Sequence, residues 1–361
     1  MINRRQFTFG ATAGAVSLGT TGLGLLPALA ANASTQNALI IDAMGEIREV
    51  YTDELCLEMI ESGINSVTVT LCDPKSYEAE AYELAIDGVL EYNRLIEKES
   101  RFWMQARSVD DIHSAREQGK IALFYLFQNS TQFGKDVDNV DVFYGLGVRS
   151  SQITYNYQNW AGAGCNELNG SGLTVFGHEL VEKMNHVGML IDLSHANMVT
   201  MADTIAASNA PVITSHSCCK ALFEHNRNTT DENIRAIADK GGLFGVTQMR
   251  GFMTNQVDDA VHFYYQHIEH AINVAGIDHV CIGSDRDHRR LVLSEEYLEE
   301  LEREEGENFD RSQWPLYFEE LNGPRRMETI WDGLAARGMS EGHLEKLFGL
   351  NLQRLYREVI G

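Results

Sequence analysis

Eight short apolar runs, each followed by a longer stretch of helical period, leave this chain few ways to fold. The runs are 38–42, 65–72, 121–126, 147–154, 188–193, 211–214, 242–247 and 279–283. They are apolar runs of strand length. Between them, 52–62 places Leu55, Met59 and Ile60 on one helical face, and 76–97, 109–118 and 198–207 read as further helices. Eight strands alternating with helices is the count of a (β/α)8 TIM barrel, an α/β fold. The length of 361 residues and 44% hydrophobic content suit one large domain of that kind.

In such a barrel the chemistry lies at the C-terminal ends of the strands. Reading each exit in turn gives Met44 and Glu46, Asp73, Gln128, Tyr155, His195, His216, Gln248 and Asp285. The fifth and sixth runs both end in Ser-His, so two parallel strands deliver two imidazoles to one rim. Paired imidazoles at equivalent positions point to a metal site. The formal charge of −23 excludes nucleic acid and anionic membrane as partners, because a phosphate-binding surface needs clustered Lys and Arg. A small molecule is the expected ligand.

The first thirty residues differ in kind. Arg4-Arg5-Gln6-Phe7 precedes an uncharged Gly/Ala/Leu run that closes on Ala28-Leu29-Ala30. This is the layout of an export signal of the twin-arginine type, and the run is too rich in Gly and Thr for a good membrane anchor. The expectation is a cleaved signal over 1–30, a single domain over 31–361, the twin-arginine export machinery as a partner and a periplasmic or otherwise exported location. The six cysteines include no CxxC pair, and Cys218 reads as a buried structural thiol. Beyond Asp285, Asp287 and His288 read as surface groups, with support of the site as the alternative. The acidic stretch 293–307 reads as a solvated helix. Trp314, Pro315, Tyr317 and Phe318 form an aromatic cluster that would cover the barrel mouth or serve a homodimer.

Several short motifs occur together, in order, along nearly all of the chain after the signal. They are Tyr144-x-x-Gly-Val-Arg149-x-x-x-Ile-Thr154, Ile191-Asp-Leu-Ser-His195, Pro211-Val-Ile-Thr-Ser-His-Ser217, His225-Asn-Arg-Asn228, His267-Ile-x-His270 with Val274-Ala-Gly276, Ile282-Gly-Ser-Asp285 and Gly349-x-Asn351-x-x-Arg354. The set resembles the membrane dipeptidase (renal dipeptidase) family of zinc metallopeptidases, a branch of the amidohydrolase-like barrels. The resemblance implies a dinuclear zinc site whose activated water attacks a dipeptide amide. It implies His195 and His216 as ligands of one zinc, Asp285 as a metal ligand and proton shuttle, and Arg227 as the group that grips the substrate carboxylate.

Three positions depart from the family pattern. Met44 and Glu46 stand where the family has a His-x-Asp pair, Gln128 where it has a bridging glutamate, and Tyr155 where a histidine steadies the tetrahedral intermediate. An amide oxygen cannot neutralise two cations, so one zinc rather than two is expected. His195 and His216, with a carboxylate from Asp285 or Glu46, would then hold that ion, and Tyr155 could still donate one hydrogen bond to the substrate. The implied function is an exported metallohydrolase cleaving dipeptides or small amides. The alternative is the same barrel turned to other chemistry on, or binding of, a peptide-derived metabolite.

Overall fold

The computed structural model describes residues 35–361 apart from 36, 78, 79, 293 and 306–313. The signal read over 1–30 lies outside the described residues. Among these, nine strands form one parallel sheet: β1 (Ile40–Gly45), β2 (Ile64–Thr70), β3 (Trp103–Gln105), β4 (Ile121–Phe127), β5 (Val148–Gln152), β6 (Leu190–Asp192), β7 (Ile213–Ser217), β8 (Leu243–Val246) and β9 (Val280–Ile282). The path is β1-β2-β4-β5-β6-β7-β8-β9, and β3 pairs only with the start of β4. The eight strands on the path are the eight apolar runs, so the structure has the (β/α)8 layout read from them. The short β3 is an addition that the reading missed.

Two contacts bring the ends of the sheet together. The Asp285 N–H donates to the Met44 carbonyl at 2.8 Å, and the Glu46 N–H donates to the Arg286 carbonyl at 3.1 Å. Every strand on the path is buried along almost its whole length, because helices cover the outer face. Those helices are α1 (Asp53–Glu61), α2 (Glu80–Lys98), α3 (Val109–Glu117), α4 (Asn139–Leu146), α5 (Val175–Val187), α6 (Met198–Ala207), α7 (Asp231–Asp239) and α8 (Val261–Ala275). The acidic α9 (Glu295–Glu305) keeps Leu298 buried while the described side chains around it are partly or fully exposed.

Sequence chemistry sets where several helices begin. Asn197, two residues after His195, accepts the Thr200 N–H at 2.7 Å and caps α6; Thr174 caps α5 by accepting from Gly177 at 3.0 Å. These caps end the loops that carry the site. Among the slips in strand register, one falls between Asp42 and Gly45 in β1 and another between Thr214 and Ser217 in β7. Such irregularities turn side chains away from simple alternation, and both fall where a strand delivers candidate site residues. Beneath the mouth the lumen is narrow. A Cβ at either Gly245 or Gly283 would lie 2.0 Å from the Ser215 carbonyl oxygen, so only glycine lets β8 and β9 approach β7 there.

His267 in α8 ties a helix to the loop after β7. Its Nδ1 accepts the Cys219 N–H at 3.0 Å in a buried setting. Burial first, then the neighbouring His270, push its pKa from 6.5 down to about 4. The unfolded chain therefore binds a proton that the folded chain refuses, and stability should fall as pH drops from 6.5 towards 4. The loss is about 3 kcal/mol from this group, at up to about 1.4 kcal/mol per pH unit. Urea unfolding at pH 7.5 and 5 should register it. His267→Asn keeps an acceptor without the titration and should flatten the pH dependence; an unchanged slope would show that His267 does not supply it.

Candidate active site

The exits of β6 and β7 build a site around one buried carboxylate. Asp192, the last residue of β6, accepts from the Ser194 N–H (3.0 Å), the Ser194 hydroxyl (2.6 Å), the Ser215 N–H (3.0 Å) and the Ser215 hydroxyl (2.5 Å). The His216 N–H in turn donates to Ser194 Oγ at 3.0 Å. A single side chain thus fixes the residue before each histidine.

The outer nitrogen of each ring is held as well. His195 Nδ1 lies 2.7 Å from Asn156 Oδ1, and His216 Nδ1 lies 2.7 Å from Ser215 Oγ. The amide oxygen only accepts, so His195 Nδ1 carries the proton. The Ser215 hydroxyl gives its hydrogen to Asp192 and so accepts from His216 Nδ1. These assignments follow from the network. Both Nε2 lone pairs then face each other, 3.1 Å apart. Both rings are buried, and burial, with the Arg227 charge behind it, holds their pKa values well below 6.5, so both are neutral at pH 7.

Arg227 lies against the same pair. Its guanidinium donates to the Ser194 carbonyl, to the His216 carbonyl at 3.3 Å and to His195 Nε2 at 3.1 Å. The loop holding it is fixed by Asn228, which donates to the carbonyls of Phe223 and Phe252, and by His225 Nδ1, which accepts the Arg227 N–H at 3.1 Å. Tyr155 stacks on His195 with ring centroids 4.2 Å apart and planes 27° apart. His195, His216, Arg227 and Tyr155 are therefore brought together as expected.

The other predicted residues are placed differently. Glu46 is partly exposed and its carboxylate pairs with Arg48, with Nε–Oε2 at 2.8 Å. The pairing is local: a guanidinium two residues away, itself 3.1 Å from Asp287, holds it. Among the described residues no three His, Cys, Asp or Glu side chains converge closely enough to hold a metal, so Asp285 does not complete a three-ligand set with the histidines. Asp285 adopts a positive φ of 55° at the β9 exit, an uncommon backbone for a non-glycine residue. Met44 is fully buried, Gln128 and Gln248 are buried, and Asp73 is exposed and accepts the Lys75 N–H. Cys218 is a buried free thiol, as read. Asp287 and His288, expected at the surface, are buried, because Tyr51 and Arg326, distant in sequence, pack against them: the Tyr51 hydroxyl bonds Asp287 and the His288 N–H, and Arg326 bonds the Asp287 carbonyl. Tyr317 pairs with Met249 just past β8, which puts part of the aromatic cluster over the mouth.

The sequence reading missed Asp192, Ser194, Ser215 and Asn156 as parts of the site. The repeated Ser-His at two strand ends was the signal for the serines. Nothing in the sequence pointed to Asn156.

The imidazole pair offers two ligands to one metal ion, one short of the three that a catalytic zinc takes from protein. Two adjacent ligands of a tetrahedral zinc with bonds of about 2.05 Å stand roughly 3.3 Å apart, close to the Nε2 separation here. In the structure the Arg227 Nη2–H lies 3.1 Å from His195 Nε2 and shares that lone pair, so it would have to give way to an ion. A parallel barrel with paired imidazoles at its C-terminal rim belongs to the amidohydrolase-like class.

Comparison with known proteins narrows the class. Residues 43–299 match the family model "Membrane dipeptidase (Peptidase family M19)". An uncharacterized protein from the pqqA 5′ region of Klebsiella pneumoniae is 34% identical over 190 residues, 50% of this chain and 70% of that protein. Dipeptidase verJ of Clonostachys rogersoniana is 29% identical over 267 residues, 73% of this chain and 62% of that protein, so the match spans less than two thirds of the latter. Among solved structures, an amidohydrolase from Pseudomonas aeruginosa superimposes with a TM-score of 0.81 at 31% identity, covering 91% of this chain and 98% of that one. The chain belongs to the membrane dipeptidase family. It is accordingly an enzyme of a metallohydrolase family, and the family implies a metal cofactor.

Proposed function

We propose that this enzyme hydrolyses dipeptides or small amides with a free carboxylate, using one zinc ion held by His195 and His216. The observation that carries the reading is the pair of neutral imidazoles with Nε2 atoms 3.1 Å apart, each fixed through its other nitrogen. Membership in a metallohydrolase family and the 29% identity to a protein named as a dipeptidase support it. Zinc at this position supplies Lewis-acid activation of water and of the amide carbonyl.

The chain's own residues do the rest. Arg227 binds the substrate carboxylate through the guanidinium hydrogens not spent on the Ser194 and His216 carbonyls and His195 Nε2, and this aligns the amide over the histidines. Tyr155, stacked on His195, donates a hydrogen bond to the carbonyl oxygen as negative charge grows there. Asp285 takes the proton from the attacking water and returns it to the leaving amine, as a general base that becomes a general acid. A second reading, altered chemistry on a peptide-derived metabolite, is favoured by the capture of Glu46 by Arg48.

Metal analysis and a dipeptide panel on the purified protein separate the two. At most one tightly bound zinc per chain is expected, because neither Met44 nor Gln128 supplies what a second ion needs. Met44→His combined with Glu46→Asp and Gln128→Glu should raise the zinc content towards two and increase kcat/KM. Two zinc ions in the unmodified protein would overturn the single-ion reading. No zinc and no hydrolysis in added zinc would leave the altered-chemistry reading standing.

A further inference from the structure

A second group of polar side chains, unused by the site above, lies buried where β1 and β9 leave the barrel. Arg286 is 3% exposed, Arg326 2% and His288 0%. Arg286 Nη1 and Nη2, Arg326 Nε and both ring nitrogens of His288 have no hydrogen-bond partner. Buried polar groups are nearly always paired, and five unpaired nitrogens on three neighbouring side chains are a marked departure from that rule.

Nearby carboxylates are already committed. Asp287 accepts from the Tyr51 hydroxyl, the Arg289 N–H and the Arg289 guanidinium, and also pairs with Arg48 at 3.1 Å. Asp42 accepts from the Ser284 N–H and hydroxyl at 2.8 and 2.6 Å. Arg326 spends Nη1 on the Asp287 carbonyl at 2.8 Å, whereas Arg286 has only the face of Tyr317, 3.5 Å from its guanidinium carbon. Asp42 and Asp287 act on Arg326, and Asp287 on Arg286, through charge alone, but no carboxylate oxygen bonds Arg286 Nη1 or Nη2 or Arg326 Nε, and a buried charge left without hydrogen bonds is costly. The strain registers in Arg286, which burial and the Arg326 charge push down to about 9.

We propose that Arg286, Arg326 and His288 form a binding site for a small carboxylate or oxyanion, separate from the histidine pair. Arg286 offers two free donors in one plane, which suits two oxygens of one anion. Tyr317 floors the site by stacking under the guanidinium. His288 and the Arg326 Nε–H supply the remaining contacts. The anion is either an acidic group on the substrate or a free anion that completes the fold. Only the first of these rests on the hydrolase reading.

Thermal melting of the full-length mature protein tests the site without reference to hydrolysis. Glutarate and inorganic phosphate are compared with chloride at equal ionic strength in the unmodified protein, Arg286→Met and Arg286→Lys. The unmodified protein should melt higher, and saturably, with glutarate or phosphate. Arg286→Met should lose that response and melt no lower than the unmodified protein when neither anion is present, because it removes an unpaired buried charge. Arg286→Lys should retain part of the response. Absence of any response in the unmodified protein, or a full response in Arg286→Met, would overturn the proposal. The source is read from kcat/KM for dipeptides with acidic and neutral amino-terminal residues. A preference of about tenfold or more for acidic residues, lost in Arg286→Met, assigns the anion to the substrate. Equal values alongside an intact melting response assign it to a free anion.

Discussion

Replacement of His216 by alanine is expected to strip the protein of its zinc and to lower kcat/KM for dipeptide hydrolysis by at least about 10³-fold. Two imidazoles are the site's converging ligands among the described residues, so removing one leaves a single nitrogen, which cannot hold zinc tightly. His195→Ala should do the same. The two variants should differ in their effect on the fold. His216 is the more deeply enclosed, whereas His195 is partly covered by Tyr155, which can settle into the space left by the ring. Metal content by plasma emission, with hydrolysis measured in excess zinc, checks the result. Hydrolysis at an undiminished rate in either variant would remove the imidazole pair from the mechanism.

The second large effect falls on stability. Asp192→Ala takes the shared acceptor from two hydroxyls and two backbone N–H groups, all buried, and Gln152 Nε2 at 3.3 Å loses its partner too. Leaving such a set unsatisfied costs about 3–5 kcal/mol. For a domain of this size that lowers Tm by about 4–7 °C, taking about 2.1 cal/mol/K per residue. The same change should abolish zinc binding, because the serines that orient His195 and His216 lose their anchor. Asp192→Asn retains one acceptor oxygen and should fall between the two. A variant that keeps both its Tm and its zinc would show that Asp192 does not organise the site.

The barrel strands were legible because short apolar runs alternate with helical stretches, and Ile121–Phe127, covered on both faces, announces this directly. Trp103–Gln105 was not legible: three residues after a long helix carry no period, and their pairing with β4 is a tertiary fact. His195 and His216 could be found because strand ends in this fold point to one rim. Their supports could not, because Asn156 and Asp192 act across chain segments that the sequence does not show to be adjacent. The pairing of Glu46 was not legible for a similar reason. Its position in the strand suggested a ligand, while the competing guanidinium of Arg48 became visible only once both side chains were placed. His288 looked like a surface residue because it follows the last strand, and Tyr51 and Arg326, far from it in sequence, enclose it.

The two rims of the mouth hang on different carboxylates. Asp192 organises the β6 and β7 exits, while Asp42 accepts from Ser284 and so joins the β1 and β9 exits. Each rim is therefore a self-supporting bracket, and an exchange in one need not loosen the other. That independence gives a physical account of how Met44 and Glu46 can occupy one rim while His195 and His216 stay aligned on the other. A barrel built in this way can exchange the chemistry of one bracket at a time, which makes it a natural starting point for catalysts that share half of their machinery.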